Sequence, residues 1–181
     1  SDISFASGDD TAVISAKSLA ATGNVSDKTY DGTTDAAVTI GLSGLISGET
    51  LGTSTVGASF DSANAGVRTA SIDSVTLADN GAYLASNYTL ATSDISFASG
   101  DDTAVISAKS LTASATAADK VYDRTTDAQV SFVLGGLVGS EDLGTPVYSA
   151  SFASANVGSQ ALTLDSIQLT NGSTGLSANY A

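Results

Sequence analysis

Residues 162–169 read Leu-Thr-Leu-Asp-Ser-Ile-Gln-Leu, and their apolar positions change parity part-way along. Leu162 and Leu164 are even, whereas Ile167 and Leu169 are odd. Side chains on a strand alternate between its two faces, so one residue near Asp165 and Ser166 must be absorbed if the apolar set is to stay on one face. The spacing predicts a β-bulge there, or a bend where the strand changes sheets.

The period of two recurs elsewhere in the chain. Val38, Ile40 and Leu42 fall on one face, as do Val130, Phe132 and Leu134; Val56, Ala58 and Phe60 form another such set, matched by Tyr148, Ala150 and Phe152. Polar clusters at 6–10, 62–66 and 79–81 mark turns. No long segment holds a helical period, and 44–52 has room for one short turn of helix. The expected class is all-β, a sandwich or a β-grasp-like sheet.

Ser1 to Leu19 (SDISFASGDDTAVISAKSL) recurs letter for letter at Ser93 to Leu111, an offset of 92. The offset carries on without a gap, and direct comparison finds 49 identities in 89 aligned positions. Such a period is too long for a solenoid coil and suits a small autonomous domain, so the chain reads as two tandem modules. From Thr103 to Lys120 there is no Pro, no Gly and no charged run. This predicts a strand over Thr103–Leu111 that passes directly from one module to the next, and a semi-rigid, end-to-end rod. On that phase residues 1–18 are the closing strand of a preceding module, 19–108 form module one, and 109–181 form module two without its closing strand. The alternative phase is 1–92 and 93–181. On the first phase an unpaired sheet edge in module two is expected to capture residues 1–18 of another chain.

Composition removes whole classes of chemistry. The 181 residues contain no His, Cys, Met or Trp. An imidazole base, a thiolate nucleophile and a zinc site of the usual kind are therefore excluded. Glu49 and Glu141 are the only glutamates, and the aspartates cluster in expected turns, so the paired acids of a glycosidase are not in evidence. The expectation is no enzyme. A formal charge of −13 would repel nucleic acid, and no apolar run is long enough to span a bilayer. Neither nucleic acid binding nor direct membrane insertion is expected.

Lys28-Thr-Tyr-Asp-Gly-Thr-Thr34, the Gly44-Leu45 turn, Ala58-Ser-Phe-Asp-Ser-Ala-Asn-Ala-Gly66 and Asn87-Tyr-Thr-Leu90 resemble the YDG-type repeat, related to the MBG (β-grasp-like) repeats of giant bacterial surface proteins. The resemblance covers nearly the whole chain, twice. It implies a stalk or spacer of a Gram-negative adhesin or filamentous haemagglutinin-like exoprotein, extracellular and outer-membrane-associated. Such a module would extend a distal binding region for cell adhesion or biofilm formation. Its expected partners are neighbouring repeats, with extracellular polysaccharide or a host surface engaged through other regions. The alternative is a carbohydrate- or calcium-dependent ligand-binding module. The second copy departs from the pattern at Tyr122-Asp123-Arg124. Either this turn does not need a positive φ, or the second module tolerates mild strain.

Tyr30 and Tyr122 are expected to fill cores, with Asp31 and Asp123 capping turns. Lys28 and Lys120 are expected to be solvated; an isopeptide bond to Asn64 or Asn87 is conceivable but not required by the spacing. No cofactor is expected. The candidate calcium ligands are the hard oxygens of Asp9, Asp10, Asp31, Asp35, Asp101 and Asp102, although none lies in a known calcium-loop spacing.

Overall fold

A computed structural model describes residues 11–98 and 100–181. In chain order the strands are β1 (Lys17–Ser18), β2 (Ala20–Val25), β3 (Lys28–Thr29), β4 (Val38–Ser43), β5 (Gly52–Phe60), β6 (Gly66–Ala78), β7 (Tyr88–Thr89), β8 (Ile95–Phe97), β9 (Thr103–Ser107), β10 (Thr112–Ala117), β11 (Val130–Gly135), β12 (Leu143–Phe152) and β13 (Leu162–Asn171). Short 3₁₀ turns cover Ala85–Asn87, Thr92–Asp94 and Ser177–Asn179. The fold is all-β, built from several small sheets. Among the described residues no helix is long and apolar enough to cross a membrane.

The chain divides into two compact units. The first holds the described residues up to Ser26 together with Asp35–Asp61 and Thr69–Ala104; the second holds Asp27–Thr34, Ser62–Arg68 and Val105–Ala181. In the first unit β2 is the middle strand of a sheet, with β4 antiparallel on one side and β8 parallel on the other. Its Ala21 and Val25 point inward and are buried with Leu19, Phe60, Ala70, Tyr88 and Ile95. Gly23 lies on the same inward face because the Phe97 ring crosses there: a Cβ at this position would sit 3.1 Å from the ring. The expected face of Val38, Ile40 and Leu42 is the less exposed face of β4.

β5 and β6 form an antiparallel ladder. Gly57 faces Ser74 and the next residue, Ala58, faces Ile72, so Asp73 is extra. In the second unit Ser149 faces Ser166 and Ala150 faces Leu164, which makes Asp165 the extra residue of β13. The parity change is therefore a β-bulge, in both repeats. Each ladder carries a further irregularity, between Gly52 and Thr55 and between Gly144 and Val147. Pro146, the chain's only proline, lies in the latter, where a missing N–H costs the ladder little.

Register is conserved between the repeats at the same offset. Ala20 faces Ser43 as Thr112 faces Gly135; Val56 faces Val75 as Tyr148 faces Ile167; Lys17 faces Tyr88 as Lys109 faces Tyr180. Two expectations change. β9 ends at Ser107 and β10 starts at Thr112, because the backbone N–H groups of Lys109 and Leu111 donate instead to the carbonyls of Asn179 and Ala181. The 44–52 segment makes a turn, closed by Glu49 N–H to the Ile46 carbonyl, and Gly48 at φ +87° cannot continue a helix. Residues 11–16 take no regular structure.

Candidate functional site

In the second unit the Tyr30 loop is held by backbone pairing: Lys28 and Thr29 run parallel to Ile106 and Ser107, and Tyr30 N–H donates to the Ser107 carbonyl at 2.8 Å. Asp27 adds a side-chain contact, its carboxylate accepting the Val105 N–H at 2.7 Å. This pairing delivers the Tyr30 ring to a half-buried carboxylate. Tyr30 Oη donates to Glu141 Oε1 at 2.5 Å, and Tyr180 Oη donates to Glu141 Oε2 at 2.6 Å. The two rings meet edge to face with centroids 5.5 Å apart, a favoured aromatic geometry. Tyr180 Oη in turn accepts the Val138 N–H. Burial and the Glu141 carboxylate push the Tyr30 phenol up to about 12, and the same causes raise Tyr180.

Beside this cluster Asn179, 2% exposed, accepts the Ala65 N–H on Oδ1 and donates from Nδ2 to Asn64 Oδ1. The Asn64 loop is itself braced by Ser62 Oγ and by Arg68, whose guanidinium donates to the Asn64 and Ala65 carbonyls. Glu141 thus has each oxygen engaged by a phenol. Chemically this is a latch, since a carboxylate saturated by two strong donors is poorly placed to accept a proton from a substrate.

The first unit holds the counterpart. Tyr88 Oη donates to Glu49 Oε2 and accepts the Ile46 N–H, and the Glu49 contact raises the Tyr88 phenol above its ordinary value. Among the described residues no donor reaches Glu49 Oε1. The glutamates, set aside by the sequence reading as too few for catalysis, are the acceptors of both clusters. Their signal was present in the shared register of Glu49 with Glu141 and of Asn87-Tyr88 with Asn179-Tyr180.

Asp31 Oδ1 accepts Thr33 N–H and Oγ1–H and pairs with Lys28 Nζ at 2.8 Å. Burial alone would raise the Asp31 carboxyl, but Lys28 and Thr33 outweigh it and hold the group below its ordinary value. Lys120, then Thr125, hold Asp123 down at about 2 in the equivalent turn. Both aspartates cap turns as expected, and both lysines are tied to those turns. Arg124 adopts φ +69° where Gly32 has +80°, so the turn needs a positive φ and the second copy carries the strain. Tyr30 is buried as expected, but Tyr122 is 56% exposed and fills no core. Of the calcium candidates, Asp9 and Asp10 lie outside the described residues. Asp31 is committed to its turn, Asp35 bridges to Ser59, Asp101 N–H closes a turn on Ala98, and the Asp102 carbonyl accepts the Ala70 N–H. Among the described residues no three acidic side chains are grouped as metal ligands.

The family model for the YDG domain matches residues 15–95 and again residues 107–181. The chain belongs to the YDG domain family. The YDG tyrosine of the first match, Tyr30, is the residue that reaches Glu141 of the second, and its loop belongs to the second compact unit. No curated protein and no solved structure matches the chain.

Proposed function

We propose that this pair of YDG domains is a structural stalk or spacer of a Gram-negative cell-surface adhesin, extracellular and non-enzymatic, carrying a distal binding region used in adhesion or biofilm formation. The observation that supports it is the Tyr30–Glu141–Tyr180 latch. The signature motif of one repeat is consumed in holding the next, so its most distinctive side chains serve continuity of the array and not a ligand. Such phenol–carboxylate bonds suit that role, because breaking one leaves a half-buried charge short of a donor.

The reading is tested by a glycan array and a calcium titration on the 181-residue chain. No reproducible sugar class and no calcium-dependent rise in melting temperature are expected. Specific retention of one sugar class, or a large calcium shift abolished by Asp101→Ala or Asp102→Ala, would instead favour a ligand-binding module, since a ligand of the folded state stabilises it by mass action.

A further inference from the structure

The second unit contains a groove of about 460 Å³ whose walls include Asp119, Lys120 and Tyr122 on one side and Ser154 to Gln160 on the other. These residues are equivalent, at the offset of 92, to Asp27, Lys28, Tyr30 and residues 62–68. At the first set of positions the corresponding strip is filled: Val105, Ile106 and Ser107 lie along Asp27–Tyr30, and Ile106 is 1% exposed. The filling strand, Thr103-Ala-Val-Ile-Ser107, has an identical copy at Thr11-Ala-Val-Ile-Ser15. There Ile14 is 98% exposed and Val13 is 89% exposed.

We propose that the groove is a strand acceptor whose occupant is residues 11–15 of a second copy of this chain. Ile14 enters beside Lys120 as Ile106 lies beside Lys28, and the Asp119 carboxylate takes the Val13 N–H as Asp27 takes that of Val105. Extended segments of this kind gain main-chain hydrogen bonds along the groove, with the buried side chain supplying selectivity.

A second contact follows from the same register. Tyr122, held outward, meets the partner's Glu49, whose Oε1 takes the phenol while Tyr88 holds Oε2. Asn156 and the Val157 N–H meet the partner's Asn87, which is exposed here although its equivalent Asn179 is buried. The Asn156 loop is already set for this contact: Ser154 Oγ accepts the Asn156 N–H and Gln160 braces the Asn156 carbonyl, as Ser62 and Arg68 do for Asn64. Donor strand and acceptor groove lie on different parts of each chain, so the contact is heterologous and can propagate.

The inference does not depend on the stalk reading. Sedimentation velocity of the 181-residue chain over a wide concentration range tests it. The expected result is a weight-average mass that rises with concentration, with Ile14→Asp and Tyr122→Ala each weakening association by about tenfold or more. Both side chains are largely exposed within one chain, so neither change threatens folding, and circular dichroism melting of each variant verifies that. A synthetic peptide of residues 11–19 should block growth and slow amide exchange at 119–122 in the native chain. A chain that stays monomeric throughout, or growth that persists in both variants, overturns the proposal.

Discussion

Tyr30 donates its phenolic hydrogen to Glu141, a residue 111 positions later in the chain. The Tyr122 ring, in the same sequence motif, has more than half its surface exposed. One motif therefore carries two energetic weights, decided by whether a carboxylate stands opposite it.

Tyr30→Phe removes one of two donors from the half-buried Glu141 carboxylate while keeping the ring contact with Tyr180. A loss of about 1–3 kcal/mol is expected, the usual cost of leaving such a group short of a partner. Tyr122→Phe, measured at a concentration where the chain is monomeric, should change stability by less than about 0.5 kcal/mol. Urea midpoints of the two variants check the contrast; equal losses would contradict it.

Arg124→Gly should stabilise the chain by up to about 1 kcal/mol, because it relieves a side chain held at positive φ. Gly32→Ala should do the reverse. At φ +80° its new Cβ would stand 3.0 Å from Val138 Cγ1, so strain and crowding act together. Thermal melts of the two single variants should move in opposite directions.

The raised Tyr30 phenol gives alkaline pH a specific effect. Its folded value of about 12 exceeds the ordinary 10.0, so the unfolded chain loses this proton first. The stabilisation is fully present below pH 10 and disappears as pH rises through 10 toward 12. Absorbance titration at the phenolate band should show a late-ionising phenol that is absent from Tyr30→Phe, and stability of that variant should fall less steeply across this window.

Ser54 occupies, in the first repeat, the position that Pro146 occupies in the second. Its hydroxyl is buried with no hydrogen-bond partner among the described residues. Ser54→Ala should therefore raise stability by about 1 kcal/mol, since the desolvated hydroxyl contributes only a cost. A drop in the denaturation midpoint would show that the hydroxyl has a partner after all.

How far the sequence reaches is clear at particular residues. Apolar parity alone placed an irregularity near Asp165 and Ser166, because strand periodicity is a local property that each residue expresses through its own backbone; that it is a bulge with Asp165 as the extra residue came from the ladder register. The exact recurrence of residues 1–19, carried forward at one offset, likewise indicated the matched ladders, and Asp31 and Asp123 could be read as turn caps because an Asx turn closes within two residues. The unequal fates of Tyr30 and Tyr122 were not legible, since both sit in nearly the same local string. Burial of one and exposure of the other depend on Glu141, Asn179 and Tyr180 being brought up from a distant part of the chain. The same holds for the two copies of Thr-Ala-Val-Ile-Ser: local propensity is identical, and pairing with distant segments, Asp27–Tyr30 beside Val105–Ser107 among them, turns one copy into a strand with a buried isoleucine. Periodicity and turn chemistry act within a few residues, so strands and caps are legible locally. Which of two chemically equivalent side chains is desolvated depends on long-range neighbours, which come together only in the folded chain.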